Sequence, residues 1–265
     1  MLAKLQDRLV VVLVRARNPS NIGAVARAMH DLGYAQLRIV NDFAAPFEAA
    51  QLEDRATRKS AVHAESVLER AMQVESVGEA LADCTFVLGT TAVGDRVLEH
   101  PLYTVNDAAP VIARHLAAST EAKVALLFGS EKTGLSNEEL SHCHALLTIP
   151  MNKLTSDRHL SMNLGQAAAV CLYTLAQGSP VALEAAAEVS ASAGEQERLT
   201  ALLLQVLERS GYVRRHPANA REATIRRLVR RMGNSGADAT VWSGILRQVL
   251  YALESRTGKP QDEFF

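Results

Sequence analysis

Three stretches of this sequence set polar side chains beside glycines in a way that could hold two substrates together. The first is Asn18-Pro-Ser-Asn-Ile-Gly-Ala-Val-Ala-Arg27. Asn21 carries an amide that can donate and accept. Arg27 carries a permanent cation suited to phosphate or to developing negative charge. If a helix opens near Asn21, Arg27 follows almost two turns on, about 9 Å along the axis at ~1.5 Å per residue. Helical side chains lean toward the N-terminus, so the two are expected to meet near the end of the preceding strand. A capped amphipathic helix with a solvated arginine would use the same residues.

The second stretch is Leu127-Phe-Gly-Ser-Glu-Lys-Thr-Gly-Leu-Ser136. Gly129 and Gly134 have the spacing of a phosphate-binding loop, but Leu135 stands where the phosphate-binding lysine belongs. Nucleoside triphosphate binding is therefore not expected. What remains is a strand ending in a glycine turn, with Glu131 and Lys132 at its tip and Gly129 expected to let a ligand approach the backbone. The third stretch runs from Ile149-Pro to Ser161-Met-Asn-Leu-Gly-Gln166. Ser161 reads as the N-cap of a following helix, with Asn163 and Gln166 in its first turn. Each residue has an ordinary explanation alone; the combination does not.

The elements that must position these groups alternate. Residues 9–15 are a continuous β-branched run, which predicts a buried parallel strand. Asn18, Ser20 and Asn21 supply cap chemistry, and Ile22, Val25, Ala26 and Met29 share one helical face before Gly33 stops the helix. A strand at Gln36–Val40 completes a βαβ unit. Helices are expected over 60–72 and 76–82, strands over Phe86–Thr90, Val124–Phe128 and Ala145–Ile149, and helices over Asn106–Ala118 and Ser161–Gln177. The fold class is α/β, a parallel sheet flanked by helices, followed by a small all-helical unit. The expected organisation is a catalytic domain over 1–178, a linker over 179–194 and a helical extension over 195–265.

The bulk composition narrows the function. The chain has 265 residues, is 48% hydrophobic and 22% charged, and carries a formal net charge of −1, so any nucleic-acid surface must be local. Aromatic residues make up 5%, which argues against broad base-stacking platforms. Cys84, Cys143 and Cys171 are widely spaced without a CxxC, which argues against a zinc ribbon or a disulfide framework and suits a reducing cytoplasm. The histidines are scattered; only His142 and His144 alternate, between motifs, and no metal is expected. Leu9–Val14 is too short to span a membrane. The extension holds an unbalanced basic run with Arg214, Arg215, Arg226, Arg227, Arg230 and Arg231. Ile225, Leu228, Val229 and Met232 form an apolar stripe at helical spacing, so the last four arginines are expected to project away from it toward RNA phosphates.

NPSNIGAVARAM, FGSEKTGLSNEEL and IP…LSMNLGQAAAV, in that order, resemble motifs 1, 2 and 3 of the SpoU–TrmH class of knotted (SPOUT) RNA 2′-O-methyltransferases. The resemblance covers roughly residues 8–177. The extension, with GYVRRHP and REATIRRLVRRM, is similar to that of the TrmJ-like tRNA methyltransferases, which act on ribose at position 32 of the anticodon loop. The resemblance implies a trefoil knot, a homodimer, S-adenosylmethionine as cofactor and tRNA as substrate. It implies catalytic roles for Asn21, Arg27, Glu131, Ser161 and Asn163. It places the cofactor against Thr90, Thr91, Ala92, Gly129, Ile149, Leu160, Ser161 and Met162. The loop between Pro150 and Ser161 is longer than is usual in such relatives, and Arg96 stands off from Ala92, where an arginine more often follows directly. The family's proposed base is Arg27. A neutral guanidine at pH 7 would cost at least ~7 kcal/mol, so a charged clamp on phosphate and developing alkoxide is the better reading. Ribosomal RNA as substrate, or a non-catalytic RNA-binding role, are the alternatives.

Overall fold

The computed structural model describes residues 6–41, 55–92, 98–151, 161–177 and 189–256. Near its centre is β1 (Leu9–Val14), whose six residues are all buried. Alternate side chains of a strand point to opposite faces. Leu9, Val11 and Leu13 accordingly enter one hydrophobic core, and Val10, Val12 and Val14 enter the other. Only a strand covered on both faces can bury such a run, at about 1.5–3 kcal/mol per large aliphatic side chain.

Around β1 lie β2 (Gln36–Val40), β3 (Met72–Val74), β4 (Phe86–Thr90), β5 (Leu102–Thr104), β6 (Val124–Phe128) and β7 (Ala145–Thr148). The order is β3-β2-β1-β6-β4-β7-β5, with every pairing parallel. The expected α/β class therefore holds. The short strands β3 and β5 were not anticipated. Residues 60–72, expected as one helix, end in β3 instead.

Helix α1 (Pro19–Asp31) buries Ile22, Val25, Ala26 and Met29 as its spacing predicts. It packs against α2 (Arg55–Ala61) and, on the same face of the sheet, against α7 (Leu164–Ala176). The remaining helices of the first unit are α3 (Glu65–Glu69), α4 (Val77–Leu81), α5 (Val105–Ala118) and α6 (Asn137–Ser141). The second unit contains α8 (Ala193–Arg209), α9 (Tyr212–Arg215), α10 (Glu222–Arg231) and α11 (Gly236–Arg256). Its small core holds Ala191, Leu199, Val229 and Ala239. It sits directly on the sheet unit: the amides of Ala193 and Gly194 donate to the carbonyls of Cys84 and Ala82 at 2.7 and 3.0 Å. Among the described residues, no helix is long and apolar enough to cross a membrane.

Candidate active site

Strand β1 delivers its chain to the C-terminal edge of the sheet, where open parallel sheets place ligands. There Asn18 caps α1, its side chain accepting from the amide of Ser20 at 3.0 Å. The helix begins at Pro19, so Asn21 falls in its first turn and is buried. Asn21 Nδ2 donates to Glu131 Oε1 at 3.0 Å, and Asn21 Oδ1 accepts from Asn163 Nδ2 at 3.0 Å. Asn163 Oδ1 accepts in turn from the amide of Gly165 at 2.9 Å. Glu131 also accepts from the backbone amides of Arg17 and Asn18 at 3.3 and 3.2 Å. One hydrogen-bonded line thus joins all three motifs. A Cβ on Gly165 would lie 2.7 Å from Cβ of Ala24. Glycine there lets α7 approach α1 closely enough for Asn163 to reach Asn21.

Every N–H in this line points toward Glu131, which fixes the amide orientation of both asparagines and polarises the chain toward the carboxylate. Burial alone would raise the Glu131 pKa. The hydrogen bonds from Asn21 and from backbone amides outweigh it and hold the carboxyl below its ordinary value. A carboxylate so occupied is a poor proton acceptor. Its chemical use is to orient Asn21.

Two expectations are corrected here. Ser161 does not cap α7: Asn163 does, and Ser161 is exposed two residues upstream. Asn163 wins because its side chain reaches both Gly165 and Asn21 from one position. Arg27 does not lean back to Asn21; its exposed Nε lies 3.7 Å from Asp31, one turn farther along α1. Gly129 lacks a side chain for a reason within its own loop: a Cβ there would lie 2.2 Å from the carbonyl carbon of Gly134. Glycine is needed for the hairpin that closes through the bridge between Ser130 and Gly134.

Of the residues expected around the cofactor, Thr90, Thr91, Ala92, Gly129 and Ile149 lie at the ends of three adjacent strands, β6, β4 and β7. Thr90 Oγ1 donates to the carbonyl of Leu127 at 2.8 Å, and the amide of Thr91 donates to the carbonyl of Leu147 at 2.9 Å. These bonds tie the β4 exit to both neighbours. Thr91 and Gly129 are half-buried, Ala92 is exposed, and Ile149 packs against the core. Met162 is half-buried beside Ser161. Leu160, like Arg96 and most of the long loop before Ser161, lies outside the described residues.

The basic run divides. Arg226 and Arg230 are 4% and 5% exposed and face inward, contrary to expectation. Arg226 bonds Glu138, Glu197, Glu222 and the hydroxyl of Ser141; Arg230 bonds Glu197 and Gln196. Of the expected apolar stripe, Ile225 and Val229 are buried, while Leu228 and Met232 are exposed. The stripe is rotated because carboxylates far away in sequence neutralise the two arginines. Arg227 pairs with Glu99 at 2.9 Å. Arg214, Arg215 and Arg231 face solvent.

Residues 8–173 match the model of the SpoU rRNA methylase family. The chain belongs to the SpoU methylase family. A tRNA (cytidine/uridine/adenosine-2′-O-)-methyltransferase TrmJ from Pseudomonas aeruginosa (strain UCBPP-PA14) is 33% identical over 270 residues, spanning 97% of this chain and 99% of its own. A tRNA (cytidine/uridine-2′-O-)-methyltransferase TrmJ from Sodalis glossinidius (strain morsitans) is 31% identical over 95% of this chain and 92% of its own. The crystal structure of TrmJ from Z. mobilis ZM4 superposes with a TM-score of 0.75 at 28% identity, covering 91% of this chain and 98% of its own.

SpoU methylases use S-adenosylmethionine, and the β6-β4-β7 edge of this one suits it. Backbone amides and carbonyls at three neighbouring strand exits can bind a polar edge, and Ile149 and Met162 offer apolar surface beside them. Among the described residues no cluster of three or more His, Cys, Asp or Glu is placed to hold a metal. The sequence reading missed two structural partners of this methylase site. One is the capping box of α6, in which Ser136 and Glu139 bond reciprocally; its S-x-x-E signature is legible in the sequence. The other is Arg15, at φ 55°, which bonds Glu139 across 124 residues and leaves no local signal.

Proposed function

We propose that this chain methylates the ribose 2′-hydroxyl of tRNA, at position 32 of the anticodon loop, with Asn21, Arg27, Glu131, Ser161 and Asn163 as its catalytic residues. The observation that carries the reading is the polarised line from Gly165 through Asn163 and Asn21 to Glu131, which assembles three motifs at one strand end. The relatives named as tRNA methyltransferases support tRNA, because their likeness runs across the helical extension as well as the sheet unit.

S-adenosylmethionine supplies an already activated methyl group. The chain's own work is to align the hydroxyl and to stabilise the oxygen as its proton leaves. Asn21, oriented by Glu131 and Asn163, holds the ribose. The Ser161 hydroxyl, exposed before α7, bonds the sugar or its phosphate. Arg27 is exposed and, among the described residues, engages a surface carboxylate at 3.7 Å, a contact worth little in water. It can swing to a phosphate without losing a buried partner, and there it clamps the backbone and stabilises the developing alkoxide. The outward arginines Arg214, Arg215 and Arg231 contact tRNA phosphates, while Arg227 is held by Glu99. The family resemblance further supports a trefoil knot in the catalytic domain and a homodimer with its sites near the subunit interface.

Arg27→Lys separates planar bidentate clamping from simple charge. Turnover is expected to fall at least tenfold; turnover near that of the wild type would contradict the clamp. A second reading, ribosomal RNA as substrate, takes its support from the family model's name. Competition between tRNA and ribosomal RNA transcripts for methyl transfer decides between them.

A further inference from the structure

The helical unit and the catalytic loop both grip one short helix. Helix α6 has five residues, and its neighbouring carboxylates reach in different directions. Glu139 accepts from Arg15 Nε at 2.6 Å and Nη2 at 3.0 Å, at the exit of β1. Glu138 accepts from Arg226 Nη1 of α10 at 2.5 Å, and Ser141 Oγ lies 2.8 Å from the same nitrogen. Immediately before α6 comes the loop that carries Glu131. Leu140 anchors the helix in the core. On one side, however, a cavity of about 740 Å³ opens between Val14, Val40, Ser136, Glu138 and Arg226. Side-chain packing does not back α6 on that side, where the ion pairs of Glu138 and Glu139 hold it.

We propose that Arg226 is a positioning residue for methyl transfer: by holding Glu138 and Ser141 it fixes α6, and through α6 the loop whose Glu131 orients Asn21. This rests on the methyltransferase reading given above. Arg226 is 4% exposed and bonded to three carboxylates, which leaves it unsuited to an RNA phosphate. The helical unit is then a buttress of the active site as well as a handle for tRNA.

The test uses the full chain with S-adenosylmethionine and tRNA under single turnover. In Arg226→Gln the rate at saturating tRNA is expected to fall at least tenfold, while the tRNA Kd and its salt dependence stay within twofold; Arg226→Lys restores part of the rate. Glu138→Gln leaves Glu197 and Glu222 on Arg226, so the unit stays docked, yet the saturated rate falls about threefold. In both Gln variants the amides of Gly134 and Leu140 exchange with solvent faster. A raised Kd with an unchanged saturated rate in Arg226→Gln would make it an RNA contact and overturn the proposal. Unchanged rate and exchange in Glu138→Gln would overturn the link through α6. Hydrogen exchange reads that link without activity, so a wild-type chain inactive on tRNA overturns the function and not the coupling.

Discussion

At the scale of single residues, the site depends on the direction of a few hydrogen bonds. Asn21 is held from both sides, by a donor on Asn163 and an acceptor on Glu131. Glu131→Gln keeps the shape but puts an amide where three N–H groups expect an anion. Hydrogen bonds to charged groups contribute about 1.5–3 kcal/mol each, so weakening them is expected to lower stability and, by releasing Asn21, to cut kcat at least tenfold. Steady-state kinetics beside a denaturant midpoint would check this, and an unchanged kcat would remove Glu131 from the mechanism. The sequence showed Asn21, Glu131 and Asn163 as residues of the right type. It could not show that Asn163 both caps α7 and reaches Asn21, since that follows from how closely two helices approach.

Elements explain why some of the structure was legible and some not. Strands β1, β2, β4 and β6 send apolar side chains to both faces, and such runs announce themselves. Strands β3 and β5 have three residues each, too few for any period, and exist because a longer neighbour pairs with them. Helix α10 misled for another reason: its arginine spacing looks solvent-facing until Glu138 and Glu197 arrive from other elements. Close approach of elements also sets a test. In Gly165→Ala the new methyl meets Ala24, so α7 must move off α1. Overpacking of this kind typically costs about 1–3 kcal/mol, and the shift separates Asn163 from Asn21. A lower denaturant midpoint with a disproportionate loss of kcat is expected; full activity would show that the approach of α7 is not needed.

Across the whole molecule, the contact between the two units has an electrostatic part that is sensitive to acid. Burial alone would raise the Glu197 pKa, but His142 at 3.3 Å, Arg226 and Arg230 bring it down to about 2. A carboxyl depressed in the folded state stabilises above its ordinary value near 4.5 and loses that contribution as pH falls toward 2. Unfolding free energy is therefore expected to drop over that window, and Glu197→Gln to flatten the drop; an unchanged slope in the variant would place the acid sensitivity elsewhere. Removing residues 195–265 should abolish methylation of full-length tRNA, by losing both the outward arginines and Arg226. Unchanged tRNA affinity of the truncated chain at several salt concentrations would refute the handle.

The central claim is ribose methylation of tRNA, and nucleoside mass spectrometry tests it most directly. Purified protein, S-adenosylmethionine and unmodified tRNA should yield a 2′-O-methylated nucleoside that maps to the anticodon loop and disappears with Asn21→Ala. A methyl group found on a base, or none on tRNA while ribosomal RNA is methylated, would contradict the account.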